Sequence, residues 1–402
     1  MVFVPPPSLI TDDETDDSRR YPSRITPTSE AQYAAAVSVS QVDLPTVARM
    51  CRRGVPDKVR PTFWKLLLGF FPPATERWEE LRQTKTEEYR ELLHIVCRLD
   101  ENNNVIIHEA SNRDVDVDIP RTMAAMHFFN MFQEFTLPEG SHTTFSPTQQ
   151  SLRRIIHTLA GVNKGFGYVQ GMNELVGHLL YAYTCGDTSA VDDSAEAEVF
   201  FCFQAMLSDL GDDFCRSLDF DQDTGVMSTL RNFEAVLLFI DPELGRHLEV
   251  HEVKSQFFAF RWLTLLFTQE FTVPDVFRIW DFLFSFRGNL RGTVLYIAVS
   301  MLSYQRDEIL RMDSLSTILP FLQSYPPCDV SNFLELAADW ISRYGFRPVS
   351  KLKGATPEKV AELQREFRVS FPGSAPKRGA LTDWMNSVWN SAKTKYTGGS
   401  VR

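Results

Sequence analysis

Cysteine is scarce in this sequence, and its spacing argues against two kinds of site. Six cysteines are spread over 402 residues and none forms a Cys-x-x-C pair, so neither a zinc framework nor a dense disulfide pattern is indicated. His127 has no H-x-x-x-H or cysteine partner around it either. We therefore expect a protein of the reducing cytoplasm without a bound metal, and peripheral contact with endomembranes stays open.

Long apolar runs and an excess of positive charge are also missing. No apolar stretch approaches the roughly 20 residues that cross a bilayer, and the N-terminus lacks the order of a secretory leader. The formal net charge is −11, which argues against nucleic acid as the main partner because phosphate binding needs a basic face. No Gly-x-x-x-x-Gly-Lys-Ser/Thr loop occurs, so the chain is not expected to bind GTP itself.

What the sequence does contain is helical periodicity over most of its length. Residues 1–42 are polar, rich in Ser, Thr and Pro and partly acidic, a composition that predicts disorder. Beyond them, alternating β patterns are scarce and no long repeat recurs. The sequence predicts an all-α fold with one large helical domain over residues 44–347. Residues 348–402 are expected to form a linker and a short amphipathic segment.

Individual helices are predicted from apolar spacing and from helix-breaking residues. The i, i+3, i+4, i+7 pattern occurs within residues 152–159 and is followed by Gly161. Another helix is predicted to open at Pro274, because proline is well tolerated in a first turn. Residues 257–267 are apolar on nearly every side, which predicts a buried helix.

Two short motifs carry the chemical information. The first is an aliphatic-x-x-Asp-x-x-Arg string that runs from Val115 to Arg121, and the second is Tyr-Val-Gln-Gly from Tyr168 to Gly171. Each motif is ordinary by itself. In this order, and in a helix-rich chain, they resemble the Arg and Gln signatures of the TBC domain family. That family stimulates GTP hydrolysis on Rab GTPases.

Two further blocks extend the resemblance over most of the chain. Residues 54–69 are similar to the opening motif of the family, and residues 256–281 are similar to its second half. An aromatic residue at helical spacing is more often core than site. We therefore interpret four matched residues as structural: Arg60, Trp64, Arg261 and Trp262.

The resemblance implies a "dual finger" made of Arg121 and Gln170. The guanidinium of Arg121 would neutralise charge that develops on the transferred phosphoryl group. The amide of Gln170 can both donate and accept, so it would hold the attacking water in place of the glutamine of the GTPase. Asp118 is expected to orient Arg121 or cap the local turn, and Tyr168 to pack or to contact the partner. The family's Ile is replaced by Val at the start of the first motif, which preserves β-branched packing.

The implied partner is a Rab-family small GTPase in its GTP-bound form, and the implied process is vesicle trafficking and intracellular protein transport. The chain itself would need no cofactor, because GTP and Mg²⁺ would arrive with the Rab. A second reading stays open, in which the same surface is a non-catalytic Rab-binding or scaffold module. Each residue also has a simpler alternative: Arg121 as a solvated charge just after Pro120, and Gln170 as a residue that satisfies backbone groups near the start of a helix.

Residues 381–396 form an amphipathic pattern with two tryptophans on one face. At 100° per residue the apolar side chains fall within an arc of about 140°. From residue 377 onward the chain has five basic residues and one acidic residue. Such a segment suits an anionic membrane surface, and packing on the domain is the equal alternative. The identity of the Rab, the membrane compartment and the oligomeric state are not determined by these patterns.

Overall fold

The structure is a computed structural model that describes residues 27–106, 113–130, 145–163, 167–210, 225–369 and 371. Helices dominate these ranges, which confirms the predicted all-α class. In chain order the described α-helices are α1 (Pro27–Val37), α2 (Leu44–Cys51), α3 (Arg60–Leu67), α4 (Trp78–Val96), α5 (Arg113–Asp118), α6 (His127–Asn130), α7 (Pro147–Val162), α8 (Met172–Tyr183), α9 (Asp193–Leu210), α10 (Gly225–Ile240), α11 (Pro242–Val250), α12 (Ala259–Thr264), α13 (Val273–Phe284), α14 (Leu290–Tyr304), α15 (Arg306–Arg311), α16 (Leu315–Gln323), α17 (Val330–Tyr344), α18 (Arg347–Leu352) and α19 (Pro357–Glu366).

Extended structure is a small part of what the structure describes. Two strands, β1 (Arg98–Leu99) and β2 (Val105–Ile106), pair in an antiparallel hairpin. This hairpin lies between α4 and α5 in the chain and contacts both α4 and α7.

The predicted helix around residues 152–159 forms as α7, and its start has a clear chemical cause. The hydroxyl of Ser146 accepts a hydrogen bond from the backbone N–H of Gln149 at 3.2 Å. The side-chain oxygen of Gln149 accepts in return from the N–H of Ser146 at 2.9 Å. This capping box satisfies two N–H groups that the first helical turn leaves without partners. The apolar stripe of α7 is buried against its neighbours.

The prediction of one buried helix over residues 257–267 was wrong. The chain forms a 3₁₀ turn and the short helix α12, and then turns at Leu266 and Phe267, whose φ angles of +46° and +69° cannot continue an α-helix. This turn buries both residues but leaves Phe257 and Phe260 49% and 46% exposed. Periodicity did not reveal the turn, because an apolar run has no polar residue to mark where the helix ends.

Two structural residues of this region behave as interpreted. Trp262 is fully buried, and the guanidinium of Arg261 donates to Glu270 Oε2 and to the carbonyl of Gln323, both at 2.8 Å. These contacts join α12 to the end of α16.

A buried carboxylate joins the first part of the domain to its second half. Asp281 on α13 is fully buried and accepts hydrogen bonds from the Nε of Arg60 at 3.1 Å and the Nε1 of Trp64 at 2.7 Å. Its second oxygen accepts from the backbone N–H of Val55 at 2.8 Å. The structural interpretation of Arg60 and Trp64 is confirmed.

The structure differs from the expected disorder of residues 1–42, because the chain is helical from Pro27 onward. Tyr33 of α1 is buried, and its hydroxyl donates to the carbonyl of Met50 at 3.2 Å. The Tyr33 ring centroid lies 5.6 Å from that of Phe63. Tyr33, with Ala36 and Val37, therefore packs α1 on the core although the average composition of the segment is polar. The residues before Pro27 lie outside the described part of the chain.

The helical body also continues beyond the expected end of the domain, through α18 and α19. Leu352 and Leu363 are fully buried, and the side-chain amide of Gln364 donates to the carbonyl of Leu238 on α10 at 2.8 Å. The amphipathic segment predicted at 381–396 lies outside the described residues. Among the helices that are described, none combines the length and apolarity needed to cross a membrane.

Candidate functional site

The arginine motif lies on α5 and on the 3₁₀ turn that follows it, residues 119–121. Val115 and Ile119 are four residues apart and fully buried, so they hold one side of this segment against the domain. Pro120 has no N–H to continue an α-helix, and the chain tightens into the 3₁₀ turn there. Arg121 ends the turn with its side chain 71% exposed.

Asp118 lies near Arg121 but does not hold it by a hydrogen bond. The closest approach, between Arg121 Nη1 and Asp118 Oδ1, is 3.9 Å, which is too long for one. An ion pair with one exposed partner contributes about 0–1 kcal/mol. Asp118 can therefore bias the guanidinium by charge while leaving it able to reach outward.

The glutamine motif lies on the segment that leads into α8. Tyr168 is buried, whereas Gln170 is exposed in the turn just before the helix. Gly171 caps α8 with a φ of +101°, in the left-handed region. A Cβ at this position would also overlap Cδ2 of Leu265. The sharp turn at Gly171 thus directs Gln170 away from the core while α8 packs inward.

A buried hydrogen-bond network joins the two motif segments. The hydroxyl of Tyr168 lies 2.7 Å from Oδ2 of Asp118 and 3.0 Å from Oδ1 of Asn173. The amide of Asn173 donates to the hydroxyl oxygen of Thr122 at 2.9 Å. Thr122 in turn donates to the carbonyl of Asp118 at 3.2 Å. These contacts link the segment of Arg121 directly to the segment that carries Gln170.

Sequence reasoning missed two members of this network, Asn173 and Thr122. Both are buried. Thr122 directly follows the arginine motif and Asn173 lies two residues after the glutamine motif, and this proximity is the only signal that the sequence offers. Burial and the hydrogen bond to Asp118 raise the pKa of Tyr168. Its hydroxyl therefore stays protonated and acts as a donor, and Tyr168 holds the site together from within rather than at its surface.

Two titratable groups on α8 extend the buried layer beneath the site. Burial raises the pKa of Glu174 to about 7, and the nearby charge of Asp118 acts in the same direction. The backbone N–H of Met123 lies 3.4 Å from Glu174 Oε1 and opposes the shift. Burial lowers the pKa of His178 to about 4, so this imidazole is neutral near neutral pH. Its Nδ1 lies 2.7 Å from the carbonyl oxygen of Glu174.

The guanidinium of Arg121 and the amide of Gln170 both lie exposed on the surface. Neither Arg121 nor Gln170 lines the cavity between Ile240, Trp340 and Tyr344. Within the described ranges, no group of three or more His, Cys, Asp or Glu is placed to hold a metal ion. The two side chains are an exposed cationic donor and an exposed amide, on segments that hydrogen bonds hold together. Such an arrangement suits chemistry on a ligand that another molecule carries.

Comparisons with known proteins identify the fold and the family. TBC1 domain family member 13 of Mus musculus is 37% identical over 232 residues, which cover 57% of this chain and 56% of that protein. The Homo sapiens protein of the same name is 40% identical over 203 residues, covering 50% and 49%. The chain thus spans about half the length of these curated relatives.

A solved structure and a family model give the same result. The crystal structure of the Ypt/Rab-GAP domain of Gyp1p superimposes with a TM-score of 0.66 at 25% identity, over 78% of this chain and 98% of that one. The family model described as the Rab-GTPase-TBC domain matches residues 57–310, which include both motif segments. The chain therefore belongs to the Rab-GTPase-TBC domain family.

Proposed function

We propose that this chain is a GTPase-activating protein for the GTP-bound form of a Rab-family small GTPase, with Arg121 and Gln170 supplied as fingers. Membership of the Rab-GTPase-TBC family supports the reaction class. One observation carries the assignment of the fingers: both side chains are exposed, while a buried network joins the segments that carry them. Residues with a purely structural role in the core would be buried instead.

Arg121 supplies charge in this mechanism. Phosphoryl transfer spreads negative charge over the γ-phosphoryl oxygens, and a guanidinium stays protonated at any physiological pH. Because Asp118 does not hydrogen-bond to it, Arg121 can extend into the nucleotide site of the partner. An arginine finger contributes roughly 10³–10⁵ in rate, or about 4–7 kcal/mol of barrier.

Gln170 orients the attacking water. Its amide oxygen can accept a hydrogen bond from the water while its N–H₂ donates to a phosphate oxygen. The GTPase brings GTP and Mg²⁺, so the chain needs only to position its two side chains. The neighbouring Gyp1p domain is itself described as a Ypt/Rab-GAP domain, which supports the same reaction here. We propose that this reaction serves vesicle trafficking.

The test is multiple-turnover GTP hydrolysis across a panel of purified Rab GTPases. The wild-type chain should accelerate hydrolysis on at least one Rab, and Arg121→Ala should reduce that acceleration by roughly 10³. Arg113→Ala is the matched control, because Arg113 is an exposed arginine at the start of the same helix α5. Rab binding without acceleration on any member of the panel would instead support a non-catalytic binding module.

The role of Gln170 has a separate test. Gln170→Ala should be strongly defective, and the wild-type chain should still activate a Rab whose own switch glutamine is replaced. Both results follow if the amide comes from this chain. Full activity of Gln170→Ala, together with loss of activation on the altered Rab, would assign the water to the glutamine of the GTPase.

We also propose that residues 381–396 attach the chain peripherally to an anionic membrane. The support is the sequence pattern alone, since this segment lies outside the described residues. The full chain should co-sediment with anionic liposomes more than a chain that ends at Gly379. Equal sedimentation of the two chains would contradict the membrane role and favour packing on the domain.

A further inference from the structure

The short helix α5 cannot hold its own position. It has six residues, and isolated helices of this length are unstable in water because few hydrogen bonds offset the cost of nucleation. Its direction nevertheless decides where Arg121 points, because the 3₁₀ turn of residues 119–121 follows it without a break. Something outside the helix must therefore set its orientation.

Asp116 and Arg153 provide such a contact between α5 and α7. Arg153 Nε lies 2.7 Å from Asp116 Oδ1, and Arg153 Nη2 lies 3.1 Å from Asp116 Oδ2. This is the two-point geometry in which a guanidinium fixes the plane of a carboxylate as well as its distance. The Arg153 side chain is only 6% exposed and that of Asp116 21%, so water weakens the pair little.

The other contacts of Arg153 make it a rigid support. Its Nη2 also donates to the carbonyl of Val105 at 3.2 Å, and its Nη1 donates to Gln150 Oε1 at 2.8 Å. The guanidinium carbon lies 4.4 Å from the ring centroid of Phe145. Each nitrogen of the guanidinium therefore has a hydrogen-bond partner, so Asp116 contacts a group that has little freedom to move.

Asp116 is ionised when it makes this contact. Burial tends to raise its pKa, but the hydrogen bonds from His157 and Arg153 and their charges outweigh burial and hold the pKa below its usual value. His157 Nε2 lies 3.4 Å from Asp116 Oδ1. The carboxylate is thus engaged by two residues of α7, one turn apart.

We infer that Asp116 and Arg153 are a positioning pair that sets the direction of Arg121. This inference rests on the proposed function, because it assigns the pair a role in the activation reaction. Asp116 occupies an unspecified position of the aliphatic-x-x-Asp-x-x-Arg motif, so the motif itself assigns it nothing. A displacement of a reacting group by roughly 1 Å can cost about 10² in rate, and loss of the pair removes the charged contact between α5 and α7 while the apolar packing of Val115 and Ile119 remains.

The next residue on α7 supplies a matched control. Arg154 is also largely buried and contacts Glu196 through two nitrogens: its Nε lies 3.0 and 3.1 Å from the two carboxylate oxygens, and its Nη2 donates to Oε1. This pair joins α7 to α9 and does not touch α5. Replacing it removes a comparable ion pair from the same helix without releasing the segment of Arg121.

The experiment compares Asp116→Asn and Arg153→Lys with Glu196→Gln and Arg154→Lys in the full chain. Each is assayed on the Rab that the wild-type chain activates most strongly. We expect the first two variants to lower kcat about tenfold while KM changes by less than about twofold. Their affinity for Rab loaded with GDP and aluminium fluoride should fall by the same factor as kcat, because this complex mimics the transition state. Affinity for Rab loaded with a non-hydrolysable GTP analogue should be retained.

Equal loss of kcat in both pairs of variants would overturn the inference, because it would show a general effect of destabilisation. Unchanged kcat in both Asp116→Asn and Arg153→Lys would overturn it as well. Amide hydrogen exchange separates this failure from failure of the proposed function, since it needs no Rab. Exchange in residues 113–123 should be faster in Asp116→Asn than in Glu196→Gln, even if the wild-type chain activates no Rab. Equal exchange in the two variants would show that the pair does not orient α5.

Discussion

Arg60, Arg121 and Arg153 carry the same guanidinium in three different surroundings. Arg60 is buried against Asp281, and Arg153 is buried against Asp116. Arg121 alone among these three is exposed and lacks a carboxylate within hydrogen-bond distance. Burial with a bidentate or shared carboxylate makes an arginine structural, whereas exposure next to a distant carboxylate leaves it able to act on a partner.

Arg121→Lys tests whether the shape of the side chain matters as well as its charge. Lysine keeps the positive charge but loses the planar fork that contacts two oxygens at once. We expect most of the activation to be lost, while fold and Rab affinity stay close to those of the wild type. Single-turnover hydrolysis measures the first and equilibrium binding the second, with Arg113→Lys as control. Wild-type activity of the lysine variant would rule out the finger assignment.

Glu174 should make stability depend on pH. Its pKa is about 7 in the folded chain and about 4.3 when unfolded, so the folded state holds the proton more tightly. The stabilising contribution of the protonated form is complete below the unfolded pKa and is lost as pH rises through the folded pKa. Glu174→Gln should therefore remove a fall in stability between about pH 4.5 and 7.

The measurement is chemical unfolding of the wild type and of Glu174→Gln across that pH range. The difference between the two chains isolates Glu174 from the other carboxylates, which titrate in both. The variant should gain relative to the wild type as pH rises, and the gain should level off above neutral pH. A difference that does not change with pH would show that Glu174 is ionised at its usual pKa.

At the scale of elements, the site consists of two turns rather than of regular α-helix or β-strand. One is the 3₁₀ turn after α5, and the other is the turn before α8 that ends at Gly171. The buried network of Tyr168, Asn173 and Thr122 joins them. The turns leave Arg121 and Gln170 exposed, and the hydrogen-bond network holds the two turns together. The two segments therefore form one unit although they are far apart in the chain.

Gly171→Ala tests the turn before α8. Alanine at a φ of +101° is strained, and its Cβ would overlap Leu265 as well. We expect a loss of about 2–4 kcal/mol from backbone strain and the steric overlap together. Denaturant unfolding measures this loss, and GTP hydrolysis should fall with it because Gln170 precedes the turn.

Gly288→Ala separates strain from overlap. Gly288 has a φ of +80°, but a Cβ there would meet no atom within 4 Å. This variant should lose only the strain contribution, about 1–2 kcal/mol. Equal losses at the two glycines would show that the contact with Leu265 relaxes without cost.

At the scale of the whole molecule, Asp281 holds the first and second halves of the domain together. Its partners Arg60 and Trp64 precede it by 221 and 217 residues. All three side chains are buried. The opening block of the domain and α13 are thus in direct contact in the core, although they are far apart in the chain.

Asp281→Asn should destabilise the whole domain. The variant leaves the buried guanidinium of Arg60 without a charged partner in the core, which costs about 3–5 kcal/mol in comparable cases. Asp57→Asn is the control, because Asp57 also contacts Arg60 but is 84% exposed, and its loss should cost about 0–1 kcal/mol. Thermal and denaturant unfolding of the two variants measure the difference. Similar stability of both would show that Asp281 is not the essential partner.

The sequence by itself determined the helical class, the helices of regular spacing such as α7, and the positions of Arg121 and Gln170 within their motifs. These features depend on residues close together in the chain, where a period of 3.6 or a fixed motif spacing is visible. The sequence did not determine that the helix breaks after α12 or that residues 27–37 are ordered as α1. In the first case an apolar run hides the turn at Leu266, and in the second a few apolar contacts, Tyr33 foremost, pack a segment of polar average composition on the core.

Only the tertiary structure decided what supports the site. The contacts between Asn173 and Thr122, between Asp116 and Arg153, and between Asp281 and Arg60 join residues separated by 51, 37 and 221 positions. Contacts of this kind leave no periodic trace in a sequence, because each depends on how several helices pack at once. For the same reason, residue type alone does not show that Arg121 is exposed and Arg60 is buried. The packing of the helices decides which of the two arginines reaches the surface.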